Sequence, residues 1–266
     1  MMLIVGERIN TSRNTINEAV EKRDVAFISN EVQKQAKAGA DYIDLNTGSR
    51  LASEKEDLLW LIKVAESASE KPLSLDSPDP QVLLPAIKQV QKKPMINSTT
   101  AERTRFEAMK PILLERECEI VGLCLDEHGI PKSADQAVKN AAFLVENLTR
   151  LGISPAQIHL DPLIQPLSVH KDNGLLALET IRRLRSEFPE VKIICGLSNI
   201  SFGLPSRFLL NRIFIVLCLG AGLDGAIVDP LDQKLMTNIL VAETLLGKDD
   251  YCLKYLRANR AGTLIG

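Results

Sequence analysis

Glu7, Asn10, Asp44, Asn46, Asp76, Asn97, Asp126, Asp161, Asn199 and Asp229 each stand at or just past the end of a short apolar run. Three have suggestive surroundings. Asp76 lies in Ser-Leu-Asp-Ser, Asn97 in Met-Ile-Asn-Ser-Thr and Asp161 in His-Leu-Asp-Pro-Leu. A carboxylate accepts two parallel N–H bonds, and an amide both donates and accepts, so an Asp/Asn/Asp set suits the edge of an aminopyrimidinone ring. A second group follows the apolar residues 191–195, where Gly196, Ser198, Asn199, Ser201 and Arg207 share one polar loop. Gathering so many carboxylates and amides at one end of apolar strands is costly unless they bond each other or a ligand. Part of the set is therefore expected to be scaffold and part to bind.

Other chemistries fit less well. The three histidines (128, 159 and 170) show no HxH or HExxH spacing, and the five cysteines form no CxxC pair, so no bound metal is expected. A cation held by oxygens alone is the lesser alternative. There is no GxSxG, and no cysteine stands at a strand tip beside a base, Cys124 and Cys195 being read as lying inside strands. The segment Asp126-Glu-His128-Gly-Ile-Pro131 begins like the DxHxxG loop of corrinoid carriers. Proline occupies the place of its glycine, so no bound corrinoid is assigned to this chain.

Positioning these residues takes a repeating scaffold. Strands are expected at residues 3–5, 42–45, 72–75, 94–96, 120–125, 158–160, 191–195 and 225–228. Helices are expected at 24–38, 54–69, 80–91, 101–117, 134–150, 174–187, 207–219 and 233–246. Eight such pairs at about 33-residue spacing, in one domain over residues 1–266, predict a (β/α)8 TIM barrel. No strand is followed by GxGxxG, which disfavours a doubly wound sheet. In such a barrel, ligands bind where strands end.

The formal charge of −2 offers no general attraction for nucleic acid. The apolar run 213–223 is too short to cross a membrane and reads as a buried helix. The N-terminus reads as a first strand and not as a signal peptide, and unpaired cysteines fit a reducing cytosol. The tail from residue 251 is expected to pack only partly.

With these residues in view, the chain resembles the pterin-binding methyltransferases, which share a barrel with dihydropteroate synthase and with the folate domain of cobalamin-dependent methionine synthase. The likeness is greatest to the methyltetrahydrofolate:corrinoid/iron–sulfur protein methyltransferases of acetogens and covers essentially the whole chain. It is carried by Gly6-Glu-Arg-Ile-Asn10, Tyr42-Ile-Asp-Leu-Asn46, Leu75-Asp-Ser77, Met95-Ile-Asn-Ser-Thr99, Gly129-Ile-Pro-Lys132, Leu160-Asp-Pro-Leu163, Gly196-Leu-Ser-Asn199 and residues 223–229. Each is weak alone; eight in order are strong.

The resemblance implies that Asp76, Asn97 and Asp161 hold a pterin ring, with Asp76 and Asp161 sharing in its proton network. It places Asn199 near N5, with Gly196 and Ser198 lining the ring and Arg207 reaching in from its loop. Asn10, Asp44 and Asn46 are secondary site candidates; Phe202 carries no assignment. The implied activity moves the methyl of methyltetrahydrofolate to Co(I) of a cobalamin held by a separate corrinoid/iron–sulfur protein, in the acetyl-CoA pathway. A cytoplasmic homodimer is implied, with the segment 208–219 as one interface candidate. Methyl transfer with another corrinoid protein, a dihydropteroate synthase-like reaction, and a pterin-binding module without chemistry are the alternatives.

Overall fold

Alternation along each strand decides which side chains enter the barrel and which face the helices. The computed structural model describes residues 1–265. Its strands are β1 Leu3–Asn10, β2 Tyr42–Asn46, β3 Leu73–Asp76, β4 Met95–Thr100, β5 Glu119–Leu123, β6 Ile158–Asp161, β7 Lys192–Gly196 and β8 Gly225–Val228. All pair in parallel, and β8 pairs with β1, which closes the barrel. The expected (β/α)8 fold is present.

The surrounding helices are α1 Asn14–Glu21, α2 Val25–Lys37, α3 Glu54–Ala68, α4 Pro80–Gln89, α5 Arg103–Leu113, α6 Ala134–Arg150, α7 Asn173–Glu187, α8 Arg207–Ala221, α9 Gln233–Leu245 and α10 Leu253–Arg260. Several begin on side-chain caps. Asp24 accepts from the Phe27 N–H, Ser133 from Gln136 and Asp232 from Leu235, each meeting one orphan donor of a first turn. α8 stops at Gly222, whose φ of +109° suits a residue without a side chain.

Ile43, Leu45, Leu75, Ile96, Ile120, Leu160 and Ile193 point outward into the main core against the helices. Val5, Met95, Val121 and Ile194 form a separate, fully buried plug, with Leu3, Tyr42, Leu123 and Ile227 packed against it. Taking every second residue from this plug toward the strand ends leads to Glu7, Asp44, Asn97 and Gly196. The same alternation sets Ser74 and Asp76 on the face opposite Leu73 and Leu75, and Asp161 opposite Leu160.

The N-terminal end of the lumen is polar in a different way. Buried His159 meets Glu119 at 2.7 Å, and Lys93 and Lys192 reach the same carboxylate at 2.9 and 3.4 Å. Burial raises the Glu119 pKa, but hydrogen bonds from His159 and Lys93 outweigh it and bring it to about 2. This cluster lies at the end away from the expected site and acts as a stopper.

Four expectations change in detail. β1 runs on to Asn10 and β4 to Thr100, because each contains a register irregularity past which pairing resumes. The segment Asn14–Glu21 is helical, burying Ile16, Ala19 and Val20. Cys124 is buried just beyond β5 instead of within it. The run 213–223, expected to form a buried helix, lies largely in the two-faced α8: Phe214, Ile215, Cys218 and Leu219 pack inward, while Ile213 and Leu217, with Phe208 and Leu209 of the preceding turn, remain exposed.

Candidate functional site

Strand register assembles the first part of the site. Asn10 pairs with Asn46, Asn46 with Asp76, and Asp76 with Asn97. Four of the predicted residues therefore form one row across β1–β4 at the C-terminal mouth. Asn46 Nδ2 donates to Asp76 Oδ2 at 2.7 Å, and Ser74 Oγ donates to Asp44 Oδ1 at 2.6 Å. Burial pushes the Asp76 carboxyl up to about 6, with the Asn46 amide pulling the other way. Burial, followed by the nearby Asp76, pushes Asp44 well above its ordinary value against hydrogen bonds from Ser74 and Asn97. Asp44 is only 2% exposed and underlies the row as support.

Asp161 sits across the mouth at the end of β6. Its Oδ1 accepts from the Leu163 N–H at 2.7 Å, and the Gly196 N–H also bonds it. Burial nevertheless raises its pKa to about 6. Because the folded pKa lies above the unfolded one, folding takes up a proton here. That stabilisation is complete below about pH 4 and is lost as pH rises through about 6. Relative to Asp161→Asn, the wild type should gain about 2–3 kcal/mol on acidification from about pH 7 to about pH 4, read by urea unfolding at each pH.

The loop after β7 forms the other part. Arg207, the first residue of α8, donates from Nη2 to the Ser198 carbonyl at 2.7 Å and from Nε to Ser201 Oγ at 3.1 Å. Its guanidinium lies 5.9 Å from the centre of the Phe202 ring. Asn199 is exposed in this loop. A side chain on Gly196 would meet Asn199 Nδ2 at 3.2 Å. Gly196→Ala is therefore expected to displace that amide, costing less than about 1 kcal/mol in thermal unfolding but about tenfold in the rate of the methyl transfer that the resemblance implies.

A cleft of about 600 Å³ opens beside this loop, over β1, β7 and β8. It is lined by Asn10, Ser198, Asn199, Phe202 and Arg207, and also by Glu7, Arg13, Asn211, Asp229 and Asp232. Asp76, Asn97 and Asp161 do not line it, so the predicted residues fall into a row across the strand ends and a neighbouring cleft. Gly196 joins the two, touching Asp161 through its N–H and leaving room for Asn199. Asp126 is not brought in, since it turns back on its own loop and accepts from the His128 N–H at 2.9 Å.

Sequence reasoning gave no role to Arg13, Asn211 or Asp232. Arg13 immediately precedes α1, a helix absent from the expected pattern. Asn211 Oδ1 is buried without a hydrogen-bond partner among the described residues. Among those residues, no group of three or more His, Cys, Asp or Glu side chains is placed to hold a metal ion. No helix among them is long and apolar enough to cross a membrane.

A closed parallel barrel whose strand ends present in-register carboxylates and amides beside an open cleft is a ligand-binding (β/α)8 scaffold of the enzyme type. Residues 6–229 match the family model described as pterin binding enzyme, and the chain belongs to that family. Over 265 residues it is 35% identical to the methylcorrinoid:tetrahydrofolate methyltransferase of Eubacterium limosum, covering 99% of this chain and 98% of that protein. It is 30% identical to methionine synthase of Mycobacterium tuberculosis over 240 residues, 85% of this chain but 20% of that much longer protein. Dihydropteroate synthase from Xanthomonas albilineans, solved with 7,8-dihydropteroate, superposes with a TM-score of 0.71 at 18% identity, covering 92% of this chain and 94% of that one.

Proposed function

We propose that this protein is a methyltransferase that moves a methyl group between N5 of tetrahydrofolate and the cobalt of a corrinoid carried on a separate protein. The observation that carries the reading is the row Asn46, Asp76 and Asn97 across adjacent strands, with Asp161 facing it across the mouth and the Asn199 loop alongside. Asp76 and Asp161 accept from the amino and ring N–H groups of the pterin, and Asn97 supplies both a donor and an acceptor. Ser198 and Gly196 line the ring. Asn199 donates its amide N–H to the lone pair that develops on N5 as the C–N bond breaks, an interaction strongest in the transition state.

The name of the Eubacterium limosum relative supports the pairing of corrinoid with folate. That name writes the transfer toward tetrahydrofolate, whereas the resemblance implied transfer from methyltetrahydrofolate to Co(I) of a corrinoid/iron–sulfur protein in the acetyl-CoA pathway. The same groups serve either direction, because the transition state is shared. The relative's name favours a second reading of the partner, a corrinoid protein loaded by another methyl donor.

A dihydropteroate synthase-like reaction fits the cleft poorly, since a pyrophosphate needs net positive charge. The cleft lining holds two arginines, Arg13 and Arg207, against the carboxylates Glu7, Asp229 and Asp232. The exposed face of α8, flanked by Leu175 of α7, supports the homodimer reading. A cytoplasmic setting agrees with four buried free cysteines and one exposed.

Mixing the protein with methyltetrahydrofolate and reduced cobalamin should produce the absorbance of methylcobalamin, and methylcobalamin with tetrahydrofolate should reverse it. Tight folate binding without exchange in either direction would leave only a pterin-binding module.

A further inference from the structure

Three carboxylates line the cleft beside Asn199: Glu7, Asp229 and Asp232. Two are clasped by arginine. Asp232 receives Arg212 Nε at 3.0 and 2.9 Å on its two oxygens, with Arg212 Nη2 a further 2.9 Å contact. Asp229 receives Arg8 Nη1 at 2.7 Å on one oxygen and the Leu231 N–H at 3.0 Å on the other. Glu7 differs. Its closest partners, Arg13 Nη2 and Ser198 Oγ, both stand off at 3.4 Å. Among the described residues, no histidine or lysine lines the cleft.

From this geometry we propose that Glu7 carries the proton exchanged with N5 of the folate when the methyl group moves. The inference rests on the methyl-transfer reading above and supplies what that reading lacks. An amide such as Asn199 can donate a hydrogen bond but cannot give up a proton near neutrality. Glu7 enters the lumen two residues beyond Val5, so its carboxyl lies between the apolar plug and the cleft. Ser198, its hydrogen-bond partner, is the residue before Asn199.

The charges around Glu7 come from every element packed on it. Burial raises its pKa first; Arg13, before α1, opposes; Asp229, after β8, raises it; and Ser198 and Arg207 lower it. The net displacement is upward, and Glu7 in turn adds to the raising of Asp44 on β2. A carboxyl so placed is protonated more readily than an exposed glutamate, as a proton donor working near neutrality requires.

When methyltetrahydrofolate donates, the Co(I) electron pair forms the cobalt–carbon bond. The N5–carbon bond breaks with its pair left on N5, and N5 takes the Glu7 proton. When methylcorrinoid donates, the N5 pair forms the bond to carbon and the cobalt–carbon pair returns to cobalt. The N5 proton then passes to the Glu7 carboxylate. Atoms and electrons balance without a further reactant.

Glu7→Gln keeps the shape and the acceptor oxygen but cannot exchange a proton. Single-turnover methyl transfer should fall by on the order of 100-fold, the lower end for a general acid, with the methyltetrahydrofolate dissociation constant within about threefold of wild type. Glu7→Asp should restore part of the rate. In folate-free wild type, infrared titration should show a carboxylic acid C=O band that Glu7→Gln removes. A wild-type rate and pH profile in Glu7→Gln would overturn the proposal, as would a loss of folate binding as large as the loss of rate. If wild type itself failed to exchange methyl groups, the methyl-transfer reading would fall, while the infrared band would still report the state of Glu7.

Discussion

Replacing Asn199 by alanine should slow methyl transfer by about 100- to 1,000-fold while leaving methyltetrahydrofolate affinity within a few-fold of wild type. The asymmetry follows from where the amide stands. Asn199 is exposed in the loop after β7, outside the row of β1–β4, so it can add little to holding the pterin edge. Its proposed bond to N5 strengthens only as the methyl group departs, and such a bond appears in the rate and not in binding. Single-turnover rates and equilibrium titrations on the same variant separate the two. Equal losses in both would show that Asn199 is a binding residue.

Asp161→Ala should do the opposite, weakening methyltetrahydrofolate binding by about 2–3 kcal/mol, roughly 30- to 160-fold, because the proposed charge-assisted contact of this buried carboxyl with the pterin is lost. The alanine also leaves the Leu163 and Gly196 N–H groups without the acceptor they now share. Gly196 adjoins Asn199, so part of any rate loss would arise from loop displacement. Isothermal titration measures the binding term alone. Unchanged affinity would remove Asp161 from the pterin site.

Much of this architecture was legible in the residues. Alternation along Tyr42–Asn46 and Met95–Thr100 already sets Asp44 and Asn97 apart from their apolar neighbours, and a parallel barrel brings such positions to one mouth. What sequence could not supply was register. The row from Asn10 to Asn97 depends on irregular pairing within β1, which carries Asn10 past the predicted strand end. The Arg8–Asp229 contact spans 221 positions and leaves no local trace. α1 was legible in principle, because Ile16, Ala19 and Val20 recur at helical spacing, but its polar residues masked the pattern. Nor can apolar composition alone distinguish the exposed face of α8 from its buried one, since both are built from the same residue types.

The plug of Val5, Met95, Val121 and Ile194, with the His159–Glu119 stopper beneath it, leaves the barrel a single doorway. Under the proposed reaction both reactants must queue for that doorway. The smaller has to be seated before the bulkier corrinoid domain covers it, and the demethylated or methylated pterin cannot depart until that domain lifts away. The sealed floor thus imposes a compulsory sequence of arrival and exit.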